Sequence, residues 1–453
     1  MSVSSADWDT LSMKLDNSIV DSTLFKSNDS LKEPSLSTAI DLNDYKIVQF
    51  LAKTKGGLIN SNFRKKAWPL LLGVDMEKFH GLCASRYSVD WKSKPQHKDE
   101  DQVSLDVDRS FIYYAENGSD SVKTELKSKL NDLILRILRE NPQLCYYQGY
   151  HDICSVFLVI FSNEMELCFQ CVQNFTLLYL RDFMMPSINE SIKILKLIPP
   201  LVQKVDAQIY NELLLGDIEP FYAISPLITL FSHNITSFSS ISQIFDGILA
   251  NGSLGIIIYY YISLLLSQKE NIFQKISLME EEDCFTKQDV IHDVLSKFIL
   301  NIEKNTIEQS LEDCTKITKR APLEKLLPFH QIQRNSVLRT SPLINDLDIK
   351  EIKDRLAFIT EAILEDQVEG SKITDPSSKA TRFSIKDALA KKQNQTLFKM
   401  SLTIGIIGLL LNIILKKNEA FQLQTPITQL WNTHSEIINI GIRPIRDLLP
   451  KFF

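Results

Sequence analysis

The sequence predicts an all-α fold with a C-terminal transmembrane helix. From Asp106 to about Phe329 apolar residues recur three and four positions apart, as in Leu130, Leu133, Ile134, Ile137 and Leu138, which is the period of a helix with one buried face. Glycine numbers 14 in 453 residues, few for the turns of a strand-rich chain. No alternation of apolar and polar residues lasts more than a few positions, so no half-buried strand is expected. The membrane helix rests on the uncharged run Met400–Leu415 near the C-terminus.

In chain order, residues 1–40 are rich in Ser, Asp, Asn and Leu without a sustained period and are expected to be disordered. The helical period starts near Tyr45, with Ile47, Phe50 and Leu51 on one face, and carries a multi-helix domain over 45–330. The polar stretch 86–104 predicts an exposed loop inside it. Residues 247–268 are uncharged, but Asn251-Gly252-Ser253 interrupts them, so they predict a turn and a buried core helix. A helical extension and polar linker follow over 331–396, with the linker at 366–382. Met400–Leu415 is bounded by Lys399, Lys416 and Lys417. Its sixteen residues rise about 24 Å as a helix, against a hydrocarbon core of about 30 Å. Starting at Leu397, with Lys399 reaching to the headgroups, the anchor over 397–417 suits a thin bilayer. The tail, 418–453, reads as a lumenal segment or a surface-lying helix.

Composition narrows the function. A net charge of -6 leaves no basic footprint, so nucleic acid is not an expected partner. The seven cysteines are irregularly spaced, and Cys168-x-x-Cys171 lacks a second pair to complete a zinc site. They are expected to be reduced, structural thiols. The N-terminus has no apolar signal core. There is no glycine-rich phosphate loop, dinucleotide fingerprint, nucleophile elbow or H-E-x-x-H. Nothing builds a self-contained active site.

Three separated stretches carry the remaining signal. Gly57 is followed by Phe63-Arg64-Lys65-Lys66-Ala67-Trp68-Pro69-Leu70-Leu71. Val103-Ser104-Leu105-Asp106-Val107-Asp108-Arg109-Ser110 comes next, then Tyr146-Tyr147-Gln148-Gly149-Tyr150-His151-Asp152. Their order and types resemble the TBC domain of Rab GTPase-activating proteins, whose patterns are R-x-x-x-W-x-x-L-L, I-x-x-D-x-x-R and Y-x-Q-G-x-x-D. Leu230-Phe231-Ser232-His233 and Ile244-Phe245-Asp246 resemble that family's later L-F-x-H and R-x-F/Y-D blocks. Val103 replaces the usual isoleucine, Gln243 the usual arginine and Pro226 a frequent tryptophan.

The resemblance implies an activator of GTP hydrolysis by a GTP-bound Rab. Arg109 would be an arginine finger for the charge that develops on phosphate oxygens, and Gln148 would align the attacking water, its amide able to donate and accept without charge. Arg64, Trp68, Asp106, Tyr146, Gly149, Asp152 and Asp246 complete the motif. Of these, Trp68 is expected in the core, Arg64 on a carboxylate, Asp106 and Asp152 as orienters of the fingers and helix ends, and Asp246 in packing or a cap. No cofactor or metal of its own is implied, since GTP and Mg2+ travel with the Rab. A TBC domain followed by a membrane segment resembles the subfamily of the early secretory pathway, which implies the endoplasmic reticulum membrane with the domain facing the cytosol. Peroxisomes and lipid droplets are alternatives. A Rab-binding scaffold without activating function is the alternative role, and the presence of both Arg109 and Gln148 argues against it.

Overall fold

The computed structural model describes residues 29–74, 90–110, 120–280, 286–341 and 349–373. They form helices α1 Asp29–Asp41, α2 Tyr45–Ala52, α3 Ser61–Leu71, α4 Glu100–Val107, α5 Asp120–Glu140, α6 Tyr150–Phe161 and α7 Met165–Phe175. A π turn, Thr176–Leu180, and a 3-10 turn, Arg181–Met184, continue α7. Next come α8 Asn189–Leu195, α9 Ile198–Val205, α10 Ala207–Glu212, α11 Ile224–Ile228, α12 Phe238–Asn251, α13 Gly255–Ser267, α14 Lys269–Glu280, α15 Lys287–Lys297 and α16 Lys304–Arg320. The extension holds α17 Val337–Thr340, α18 Ile349–Phe358 and α19 Leu364–Ile373. No strand occurs among the described residues.

An aromatic cluster joins the helices that support the site. The Trp68 ring of α3 meets Phe157 of α6 edge-on at 5.0 Å and stacks on Phe245 of α12 at 6.0 Å. Phe245 stacks on Phe175 of α7 at 5.6 Å. Each such pair adds about 0.5–1.5 kcal/mol beyond the area it buries. Gly252, at φ +62°, ends α12 in the left-handed conformation and turns the chain into α13, which is apolar and buried all round from Gly255 to Leu265. The uncharged run 247–268 is thus a turn and a core helix. No helix among the described residues is long and apolar enough to cross a membrane. The expected anchor at 397–417 and the tail at 418–453 lie outside the described residues.

Three sequence expectations are corrected. Residues 29–40 belong to α1, whose Leu36 and Ala39 are fully buried. Their polar composition hides an apolar face too short to stand out. The expected loop at 86–104 ends in α4, which begins at Glu100 and buries Val103. The expected linker at 366–382 begins within α19, which runs to Ile373 and buries Gln367. In both helices a single apolar pair four apart is buried, Val103 and Val107 in α4 and Leu364 and Val368 in α19, too short a pattern to stand out among polar residues.

Candidate functional site

Two distant signals meet first at Asp246, which is fully buried on α12. Arg64 lies 182 positions away and donates Nε to both carboxylate oxygens at 3.1 Å and Nη2 to Oδ2 at 2.8 Å. Trp68, one turn further along α3, donates Nε1 to Oδ1 at 2.7 Å. The Leu58 N–H donates to Oδ2 at 2.8 Å. Residues four apart share a helix face, so Arg64 and Trp68 reach one acceptor. Gly57 is required underneath: its φ is +57°, and a Cβ there would stand 2.4 Å from Asp246 Oδ2. Of the two roles expected for Asp246, packing or a cap, it takes the packing one, as the buried anion that registers α3 against α12. Gln243, one turn earlier, donates Nε2 to Glu308 of α16 at 3.3 Å.

Arg109 leaves the end of α4 with its side chain 61% exposed. Its Nη2 donates to Asp106 Oδ1 at 2.8 Å and its Nε to the Leu105 carbonyl at 3.2 Å. Asp106 is itself buried, so its carboxylate is held rigidly. Gln102 Nε2 donates to the same oxygen at 3.1 Å and the Tyr146 phenol to Oδ2 at 2.9 Å. The first turn of α4 is clamped by Glu100, which takes Nε and Nη2 of Arg139 on α5 at 2.7 and 2.8 Å. That guanidinium holds the Glu100 carboxyl below the usual carboxylate range, as a paired fork does.

The loop before α6 carries Gln148. Leu144 O meets His97 Nε2 at 2.9 Å, Cys145 N–H donates to Met184 O at 2.8 Å, and Tyr146 N–H donates to Asp99 Oδ2 at 2.9 Å. Tyr147 donates its phenol to Ile228 O at 2.8 Å. Between these fixed neighbours Gln148 is exposed and its amide bonds to no described residue. It precedes α6 rather than lying in it. Gly149 caps α6 at φ +104°, and a Cβ there would fall 2.6 Å from Thr229 Cγ2. The glycine thus serves the backbone turn and its packing on Thr229. The facing turn holds two consecutive buried non-glycine residues in the left-handed region, Leu230 at φ +49° and Phe231 at φ +66°. Such strain persists only where surroundings over-determine it, and Phe231 is held edge-on against Tyr260 at 4.8 Å.

Burial and the Asp106 carboxylate push the Tyr146 phenol well up, so it remains a donor. The same oxygen lies 3.1 Å from His151 Nδ1. His151 Nε2 stands 3.3 Å from Asp152 Oδ1, and His233 Nδ1 lies 3.0 Å from Asp152 Oδ2. The bond to Asp152 raises the His233 imidazole above its ordinary value. Asp152, expected as an orienter of the fingers and helix ends, stands in the first turn of α6, where the helix dipole favours negative charge, and holds these two histidines.

Every motif residue singled out in the sequence falls in one of these two networks or beside it. Pairing motifs did not point to Asp99, Glu100, Arg139, Thr229 or Met184, because their partners lie tens of residues away. His233 had a signal, its place in Leu230-Phe231-Ser232-His233, but no assigned role. Among the described cysteines, Cys154, Cys168, Cys171 and Cys314 are buried free thiols, pushed up by burial. No group of residues fit for a metal ion occurs among the described residues. What the arrangement offers is a guanidinium and a neutral amide on exposed loops joined by the Asp106–Tyr146 bond.

Residues 61–273, which include all nine motif residues from Arg64 to Asp246, match the model of the Rab-GTPase-TBC domain. The chain is 28% identical to GTPase-activating protein GYP8 of Saccharomyces cerevisiae, over 91% of this chain and 89% of that one. It is 28% identical to TBC1 domain family member 20 of Homo sapiens, over 59% of this chain and 62% of that one. Identity to GTPase-activating protein gyp10 of Schizosaccharomyces pombe is also 28%, over 66% and 75%.

Proposed function

We propose that the chain, whose residues 61–273 match the model of the Rab-GTPase-TBC domain, is a member of that family and activates GTP hydrolysis by a Rab-family GTPase with Arg109 and Gln148 supplied in trans. The observation that carries the reading is that these two exposed side chains leave adjoining loops locked together by Tyr146 and Asp106 at 2.9 Å. Arg109 would swing from Asp106 toward the γ-phosphate and neutralise charge that develops in the transition state. Its planar fork suits phosphate oxygens better than an ammonium does. Gln148 would accept from the attacking water while donating toward the phosphate, and the fixed loop lowers the entropy lost in aligning it.

A panel of GTP-loaded Rabs, assayed for phosphate release with the full chain in detergent, tests this. A finger is worth about 10³–10⁵ in rate, so Arg109→Ala and Arg109→Lys should both abolish most stimulation. Retention of activity by Arg109→Lys would remove the finger role. Gln148→Ala should be severe, whereas mutating the GTPase's own glutamine should matter little in its presence. The opposite pattern returns water alignment to the GTPase.

The site of action we infer is the endoplasmic reticulum membrane, with residues 397–417 as anchor and the helical domain in the cytosol beside its Rab. The uncharged run Met400–Leu415 between lysines supports this. Release of the chain by carbonate extraction would defeat it.

A further inference from the structure

The segment 176–184 touches the Gln148 loop at three residues. Thr176 Oγ1 lies 2.7 Å from the Tyr150 phenol, Met184 O accepts the Cys145 N–H at 2.8 Å, and the Phe183 ring meets Tyr147 at 6.1 Å. Residues 145, 147 and 150 bracket Gln148 on both sides, so what fixes this segment fixes the loop.

The opposite side of the same segment is gripped by the C-terminal extension. Arg181 is fully buried and donates Nε to Gln367 Oε1 at 2.8 Å, and Nη2 to Asn335 O at 2.9 Å and Thr340 Oγ1 at 2.8 Å. Its Nη1 donates to Leu177 O within the π turn. Asp182, also buried, accepts from Ser336 Oγ at 2.5 Å, Val337 N–H at 3.1 Å and Gln367 Nε2 at 2.5 Å. Gln367 therefore bonds both charges at once. The π turn Ile359–Ile363 packs against the π turn Thr176–Leu180. Two adjacent opposite charges taken out of water need every donor and acceptor met. Here the extension meets most of them, because the segment's own backbone supplies only Leu177 O. Exposed contacts of the extension differ: Arg334 pairs with Asp366 at 2.7 Å in solvent.

We propose that the C-terminal extension, through Gln367 and Ser336 on Arg181 and Asp182, is a positioning element for the Gln148 loop, so that its docking sets how well the water is aligned. The inference rests on the reading of Gln148 given above. These are positioning residues: none bonds Gln148, and their effect runs through 176–184 to Cys145, Tyr147 and Tyr150. It follows that the tethers at Cys145, Tyr147 and Tyr150 tighten when α17 and α19 are docked, beside those the loop has from Asp99, Asp106 and Ile228, which ties the domain's activity to the segment that leads toward the C-terminal tail.

Full-length Gln367→Ala and the shape-preserving Gln367→Met test it, with Arg334→Ala as the exposed control. In single-turnover phosphate release the Gln367 variants should lose about tenfold in the rate at saturating activator, with the half-saturating concentration unchanged and Arg334→Ala equal to wild type. In a Gln148→Ala background the Gln367 loss should vanish. An equal loss in that background, or a loss only in half-saturation, overturns the proposal. Amide exchange provides a readout independent of activity: Cys145 should exchange about tenfold faster in Gln367→Ala, while the Leu58 amide held by Asp246 should not change. Unchanged exchange at Cys145 overturns the proposal even if stimulation is lowered. Normal stimulation by Gln148→Ala instead defeats the reading of that glutamine and leaves the exchange result to decide the coupling.

Discussion

The phenol of Tyr146 donates to Oδ2 of Asp106 across 2.9 Å, while Oδ1 of that carboxylate takes the Arg109 guanidinium at 2.8 Å. One buried carboxylate therefore holds the exposed cation and, through a residue two positions before Gln148, the loop of the exposed amide. Arg109 and the loop of Gln148 thus share one carboxylate among their supports.

Tyr146→Phe removes that bond and keeps the ring. A hydrogen bond to a charged group contributes about 1.5–3 kcal/mol. Part of this should appear as a fall of about tenfold in the single-turnover rate of GTP hydrolysis, with binding of the GTP-loaded Rab unchanged by equilibrium titration. A loss confined to binding would show that the bond serves docking alone.

Asp246→Asn should destabilise the fold without altering the chemistry directly. It leaves Arg64, 4% exposed, without its counter-charge, and breaking a buried pair costs about 3–5 kcal/mol. Urea unfolding should show it as a lower midpoint with little change in slope. Gly57→Ala should act in the same direction, because a Cβ would collide with Asp246 Oδ2 at 2.4 Å from a left-handed backbone.

His233 gives the site a pH dependence whose sign follows from its partner. Its pKa in the folded chain is raised above 6.5 by the bond to Asp152, whose other oxygen faces His151. A raised pKa means the imidazolium is favoured in the folded state, so its stabilisation is full below pH 6.5 and fades as pH rises through the folded value. The stability difference between wild type and His233→Ala should therefore be largest below pH 6.5 and shrink toward alkaline pH. Because half of the side chain is exposed, the difference should also weaken in salt. A gap that widens with pH would contradict the assigned partner.

Truncation at residue 365 should fail where truncation at 378 succeeds. The longer fragment keeps all of α19, which runs to Ile373, and the shorter one lacks Gln367, the partner of both Arg181 and Asp182. Leaving buried polar groups unmet costs about 1–3 kcal/mol each, more for charges. The shorter fragment should show a lower thermal midpoint and greater aggregation; equal midpoints would mean water replaces Gln367.

The sequence by itself determined the helical class, the buried nature of 247–268 and the motif positions. These are local matters: helical spacing, scarce glycine, and residue types at fixed short intervals. It also marked Trp68 as core and gave Arg64 a carboxylate partner, since a helix face is readable from i and i+4. The partner's identity was decided only in three dimensions, because Asp246 stands 182 positions from Arg64. The same holds for Gly149, whose need for Thr229 no neighbouring residue reveals, and for α1 and α19, whose polar sequences become helices because Leu36, Ala39 and Gln367 find buried partners. Apolar periodicity reports a helix that buries a broad face; it is silent on one held by a few distant contacts, and those contacts are what fix Arg109 and Gln148 in place.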